Sequence, residues 1–293
     1  MRVPILNASG CLDALAAPGV ARSLDAFVTK TVTPLPRRGN PPPRLAETEH
    51  GLLNSIGLQN PGLEAFVIHH LPRLAELGVP IWVSAGGFSA RDYREVCERL
   101  DGCEAVAAIE LNLSCPNVEE APETAAELVG AARRVTEKPL YAKLSPATGD
   151  VAEVARAVAA AGADGLSLVN TIRGAALDPE TLRPRLALGV GGYSGPALRP
   201  VALACVLACA RAVDLPIVAM GGITSGQDAL EAVSAGASAV ALGTVLFADP
   251  FAPARVRSEL ATLAARRAEE DQARASSDRA TIKSLQIRQN VPA

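Results

Sequence analysis

Reactive side chains cluster at the ends of apolar runs. In Ile109-Glu110-Leu111-Asn112-Leu113-Ser114-Cys115-Pro116-Asn117-Val118 a thiol is flanked by two amides, and Lys30 and Lys143 each lie in an apolar run near its carboxyl end. Cys115 is a candidate acid/base or nucleophile, because the thiolate is the reactive form and amides offer both donors and acceptors to a polar ring. The alternative is a small buried hydrophobe beside turn residues. Lysines in apolar runs call for an anionic partner, or else they snorkel to the rim. Gly221-Gly222 and Gly243-Thr244 end two further runs and precede helical patterns, one opening at Ser225 or Gly226 and the other at Asp249-Pro250. Such loops are phosphate sites or ordinary glycine turns. The run ends carry no carboxylate pair and no histidine cluster, so paired-acid glycoside hydrolysis and metal catalysis lack their residues, and no metal is expected. His50, His69 and His70 read as rim residues, and Cys205 and Cys209 as core.

The elements that position these groups follow from periodicity. Ile109, Leu111 and Leu113 alternate as in a strand, and Pro116 ends the pairing. Similar runs span Val3–Ala8, Ala26–Thr31, Ile81–Ser84, Ala108–Leu113, Leu140–Leu144, Gly165–Val169, Pro216–Met220 and Ala239–Leu242. Helical patterns follow at Leu63–Leu77 (with Gly78 as cap), Pro122–Thr136, Gly149–Ala161, Pro196–Val213, Gly226–Ala235 and Pro250–Arg267. Strands alternating with helices predict an α/β fold, a single (β/α)8 TIM barrel with loop insertions at its carboxyl-terminal mouth. The insertions are Thr33–Pro61, expected as a packed lid or hairpin, and Asn170–Gly195. Residues 1–267 are expected to form the barrel and 268–293 a polar tail.

Composition narrows the class. With 293 residues, 49% hydrophobic content and a net charge of −3 without basic clusters, the chain is expected to bury a large core and to bind no nucleic acid. It has no apolar run of membrane-spanning length and no amino-terminal targeting pattern, so no membrane association and a cytoplasmic location are expected. Its six cysteines form no Cys-x-x-Cys pair and are expected as reduced thiols.

Taken together, these segments resemble the class 1 dihydroorotate dehydrogenases, flavin enzymes of pyrimidine synthesis. The resemblance lies in Ala8-Ser9-Gly10, Gly39 to Arg44, Asn54 to Gly62, Leu111 to Val118, Lys143-Leu144-Ser145-Pro146, Val169-Asn170-Thr171, Gly192 to Pro200 and Gly221-Gly222-Ile223. Gly57-Leu58-Gln59-Asn60-Pro61-Gly62 is closest to the class 1B branch, the catalytic subunit of the NAD-linked enzymes. The resemblance implies FMN in the barrel mouth, its phosphate on Gly221, Gly222, Gly243 and Thr244, with Ser9, Lys30, Thr31, Ser84, Asn112, Lys143, Val169 and Gly195 around the rest. It implies that dihydroorotate is held by Lys30, Asn54, Ser55, Ile56, Gly57, Leu58, Asn112, Asn117, Asn170 and Thr171. Cys115 would take the C5 proton as C6 gives a hydride to flavin N5, yielding orotate. The family's membrane-bound class uses serine as base and carries an amino-terminal anchor, and this chain shows neither.

The resemblance further implies a homodimer core and, for NAD reduction, a partner subunit carrying FAD and an iron–sulfur cluster. Three departures stand out: the chain starts almost on its first strand, the loop from Val118 to Glu123 is short, and Ser84 stands where many relatives have asparagine. A short loop leaves open an FMN-dependent oxidoreductase acting on another dihydropyrimidine, and a non-catalytic barrel subunit is the third reading.

Overall fold

The computed structural model describes residues 2–113, 122–147, 149–267 and 269–270. Its strands in chain order are β1 Ile5–Asn7, β2 Phe27–Val28, β3 Leu45–Thr48, β4 Gly51–Asn54, β5 Ile81–Ala85, β6 Val106–Asn112, β7 Leu140–Leu144, β8 Gly165–Leu168, β9 Ile172–Gly174, β10 Gly191–Ser194, β11 Ile217–Met220 and β12 Ala239–Leu242. Eight of them form one parallel sheet in the order β1-β12-β11-β8-β7-β6-β5-β2. A parallel bridge from Leu6 to Ala26 joins the two ends. This is the expected TIM barrel, and each of the eight sequence runs supplies one strand.

Two runs yield shorter strands than expected, because side chains replace the ladder where β1 meets β2. The buried Asn7 amide donates to Val28 O at 2.8 Å and accepts from Val28 N at 2.8 Å, as a peptide group would. Asp25 Oδ2 accepts from Ile5 N at 2.8 Å on the same seam, and burial notwithstanding, that bond and those from Arg257 and Arg2 hold its carboxyl below the usual range.

Alternate residues on each strand serve two cores. Ile5, Ile109, Leu111, Ala142, Leu144 and Leu168 pack outward with helix residues such as Val96, Val129 and Val206. Leu6, Val28, Val218, Met220 and Ala241 pack inward with Trp82 and Tyr141. Those two rings lie 4.4 Å apart in the amino-terminal half of the barrel, and a Cβ on Gly165 would collide with Tyr141, so glycine leaves room for the plug. Farther along the same faces the residues turn polar: Ser84 pairs in register with Glu110, and Lys143 with Ser167. All four are buried, so the barrel interior runs from an apolar floor to a polar mouth.

Helices surround the sheet, and the longest of those not expected from the sequence covers the face between β5 and β6. Ala90–Asp101 is capped by Ser89 Oγ, which accepts from Asp92 N, and it buries Tyr93, Val96, Cys97 and Leu100. The expected helix opening at Asp249-Pro250 is present over 252–267, and a separate short helix at Val245–Ala248, directly after Gly243-Thr244, precedes it. Glu269 and Glu270 are also helical, while 268 and 271–293 of the expected tail lie outside the described residues.

The two insertions form a single structure. The first is a hairpin of β3 and β4, as expected, and β10 and β9 of the second extend it into an antiparallel sheet ordered β3-β4-β10-β9. Ala46, Leu53 and Leu186 form its small core.

Candidate active site

A chain of side-chain hydrogen bonds crosses the barrel mouth. Asn170 Nδ2 donates to Asn112 Oδ1 at 3.1 Å, and Asn112 Nδ2 donates to Thr31 Oγ1 at 3.2 Å. Thr31 Oγ1 lies 3.0 Å from Ser84 Oγ and 3.5 Å from Ser9 Oγ. Five sequence-predicted residues, from five strand ends, therefore meet in one polar band. Strand direction explains this, since successive parallel strands deliver their carboxyl ends to one face. Asn112 is fixed from behind, where the buried Tyr93 hydroxyl donates to its carbonyl at 2.5 Å.

Two lysines flank the band in different electrostatic states. Lys143 Nζ lies 3.3 Å from Glu110 Oε1, and both side chains are buried. Lys30 has no carboxylate within ion-pair distance among the described residues. Burial pushes its pKa down from 10.5, a trend opposed by the Cys11 thiol and reinforced by Lys143. Cys11 is drawn into the same field: burial raises its thiol, while Lys143 and Lys30 act to lower it. Neither Glu110, Tyr93 nor Cys11 was singled out in the sequence. Glu110 was legible in principle, because it shares the strand phase of Asn112.

The glycine-rich loops adjoin this band. Thr244 Oγ1 donates to Ser194 Oγ at 2.8 Å, which sets Thr244 beside Gly195. Val169, after a cis peptide bond with Leu168, donates its N–H to Met220 O, next to Gly221. Gly222 has φ +77°, and a Cβ there would approach Arg199 N to 2.8 Å. Gly243 lies near Ala8 and Cys11. The amides opening the helix at Gly226 are less available than the sequence suggested. Asp228 accepts from Thr224 N and Ser225 N, and Glu259 accepts from Gly226 N at 2.6 Å. An anion at this mouth is thus left to the loops themselves.

From the inserted sheet, Asn54 Nδ2 donates to Gly192 O at 3.2 Å, which holds it near Thr171, whose N–H donates to Asn170 Oδ1. Ser55, Ile56, Gly57 and Leu58 bond on the lid side instead. Asn40 donates to Ser55 and Ile56, Arg37 to Gly57 O, and Asn60 to Leu58 O. Cys115 and Asn117 lie outside the described residues.

This arrangement brings amide, hydroxyl and lysine side chains together at one mouth. The family model described as dihydroorotate dehydrogenase matches residues 1–263. The chain belongs to the dihydroorotate dehydrogenase family. It is 44% identical over 270 residues to the dihydroorotate dehydrogenase B (NAD(+)) catalytic subunit of Listeria welshimeri, covering 89% of each chain. The corresponding catalytic subunit of Halalkalibacterium halodurans is 46% identical over 270 residues, covering 89% of this chain and 88% of the relative. Among solved structures, dihydroorotate dehydrogenase of Eimeria tenella in complex with ferulenol superposes with a TM-score of 0.76 at 25% identity, covering 90% of this chain and 82% of that one.

These relatives place the chain in the class 1B branch of an oxidoreductase family that is flavin-dependent in general. Among the described residues, no helix is long and apolar enough to cross a membrane.

Proposed function

We propose that this chain is a catalytic subunit that oxidises dihydroorotate to orotate with FMN. The observation that carries the reading is the hydrogen-bonded band Asn170–Asn112–Thr31–Ser84, flanked by the Lys143–Glu110 pair and by Lys30, which has no carboxylate partner among the described residues. The donor set fits a flavin. Lys30 and Lys143 offer positive charge, Ser9, Thr31, Ser84 and Asn112 offer hydrogen bonds, and the buried Ser167 Oγ beside Lys143 lacks a partner among the described residues. Gly195 and Gly243, adjacent in the chain to the bonded Ser194 and Thr244, would hold the phosphate together with Thr244, Gly221 and Gly222, with Val169 against the ring.

When bound, FMN supplies the acceptor for the hydride from C6. The chain itself does the remaining work. Lys30 meets the substrate carboxylate, and Asn112, Asn170, Asn54 and Thr171 match the alternating N–H and C=O groups of the pyrimidine. Asn117 joins them in this reading, and the backbone of Ser55 to Leu58 would close over the ring. Cys115 takes the C5 proton. An unperturbed thiol has a pKa of about 8.5, so this role calls for an environment that favours the thiolate.

Electrons then leave for a second subunit carrying FAD and an iron–sulfur cluster, and from there for NAD. The relatives' description as catalytic subunits supports such a partner. Exposed Leu45, Leu177, Leu182 and Leu188 on the inserted sheet and its loops support a homodimer through that face. Five free cysteines among the described residues support a cytoplasmic, reducing setting.

The test is an anaerobic titration of the FMN-reconstituted chain with dihydroorotate, followed in the visible spectrum. Bleaching of the flavin bands is expected, and a protein that stays colourless after reconstitution refutes the reading. The isolated chain should reduce dyes but not NAD. Cys115→Ala should bind FMN normally and reduce it far more slowly with dihydroorotate.

A further inference from the structure

Two cations face the barrel mouth, and they are not equivalent. Lys143 shares its charge with Glu110 at 3.3 Å, whereas Lys30 has no carboxylate within ion-pair distance among the described residues. Glu110 is one of the most deeply buried charged groups in the chain, its side chain 1% exposed against 7% for Lys143. A buried ion pair is a poor way to stabilise a fold, since apolar residues of similar volume do as well or better. The floor of this same barrel, with Trp82 tilted against Tyr141, shows that apolar filling is available here. The pair sits where the interior turns polar, with Glu110 in register with Ser84, and Lys143 in register with Asn112 and Ser167. It belongs to the mouth and not to the core.

The difference between the lysines suits two different negative charges. A substrate carboxylate is permanently charged and is best met by the uncompensated cation, Lys30. A flavin gains negative charge only on reduction, and a fully unopposed lysine beside it would trap the electrons that must move on. A carboxylate behind the lysine limits that effect and holds Nζ in one place.

Resting on the function proposed above, we infer that Glu110 is a positioning residue that tempers Lys143 and thereby keeps the flavin's reduction potential low enough for electrons to leave. It touches neither substrate nor flavin and acts through Lys143 Nζ.

The test is spectroelectrochemical titration of the FMN-loaded chain in four forms: wild type, Glu110→Gln, Lys143→Gln and the double variant. Glu110→Gln should raise the midpoint potential, stabilising the reduced form on the order of tenfold, which is about 30 mV for a two-electron couple. Lys143→Gln should lower it. The double variant, in which the net charge of the pair is again zero, should return toward the wild-type value, a restoration that a merely structural role does not predict. A Glu110→Gln potential at or below that of wild type overturns the inference. If Glu110→Gln leaves an unpaired buried cation and fails to fold, the double variant is compared with Lys143→Gln. The double should then lie higher by a similar amount, and equal potentials overturn the inference. The two readings fail separately. Wild-type protein that holds FMN yet is not bleached by dihydroorotate refutes the substrate, while normal bleaching with an unmoved Glu110→Gln potential refutes only the role of Glu110.

Discussion

Replacing Asn7 should open the barrel at the seam between β1 and β2. The Asn7 amide makes two bonds of 2.8 Å to the backbone of Val28, one donated and one accepted, and Asn7 is fully buried. In Asn7→Ala, Val28 N–H and C=O would both lose their partner in a buried site. Each unsatisfied group costs about 1–3 kcal/mol, so the expected loss is about 2–6 kcal/mol. Against a typical stability of about 5–15 kcal/mol, that is a large fraction. Asn7→Asp is the control for packing. It keeps the side-chain volume and the acceptor for Val28 N, but sets an oxygen against Val28 O, so it too should lose stability. Guanidinium unfolding followed by circular dichroism gives both values. The same variants should bind FMN more weakly, because Ser9 follows β1 and Lys30 follows β2. An Asn7→Asp protein as stable as wild type would refute the argument, as it would show that the amide fills space and closes nothing.

Other outcomes follow from single sites. Lys30, held below its ordinary 10.5 by burial, should lose its charge early, so KM for dihydroorotate should rise as pH climbs through that lowered value. Lys30→Gln should show a high KM that is flat over the same range. Because the unfolded chain binds that proton more tightly, this residue makes stability rise with pH between the lowered value and 10.5. Gly222→Ala, at φ +77° and 2.8 Å from Arg199 N, should strain the loop by about 1–3 kcal/mol and weaken FMN binding roughly tenfold or more in a fluorescence titration. Cys97 and Cys209, buried with thiols pushed up to about 12, should resist thiol reagents at pH 8 in the native protein. Peptide mapping that finds either one labelled without denaturant would contradict their burial.

Residue patterns made the barrel legible because each strand pairs with neighbours whose own patterns repeat the same signal. The hairpin at Leu45–Asn54 was legible as a packed lid because Asn54 to Gly62 mixes apolar and amide residues. Its pairing with β10 was not, since β10 is Gly-Gly-Tyr-Ser, in which Tyr193 is the one strand former. Helix Ala90–Asp101 escaped notice although Ser89-x-x-Asp92 and the spacing of Tyr93, Val96, Cys97 and Leu100 announce it. Among site residues, Asn112, Asn170, Thr31 and Ser84 met as expected. Glu110 was passed over because a carboxylate inside an apolar strand makes sense only once Lys143 stands 3.3 Å away.

The bond from Asn54 to Gly192 joins residues 138 positions apart in the chain. During synthesis the hairpin emerges early and must wait for β10 before its sheet can form. Barrel closure waits longer still, since β1 finds its second neighbour only when β12 is made. Until then the nascent chain exposes an open parallel edge and a lid with nothing to rest on, the kind of surface that invites aggregation. A ribosome-bound chain stopped short of Leu242 should therefore lack any FMN site, however well its first half has folded.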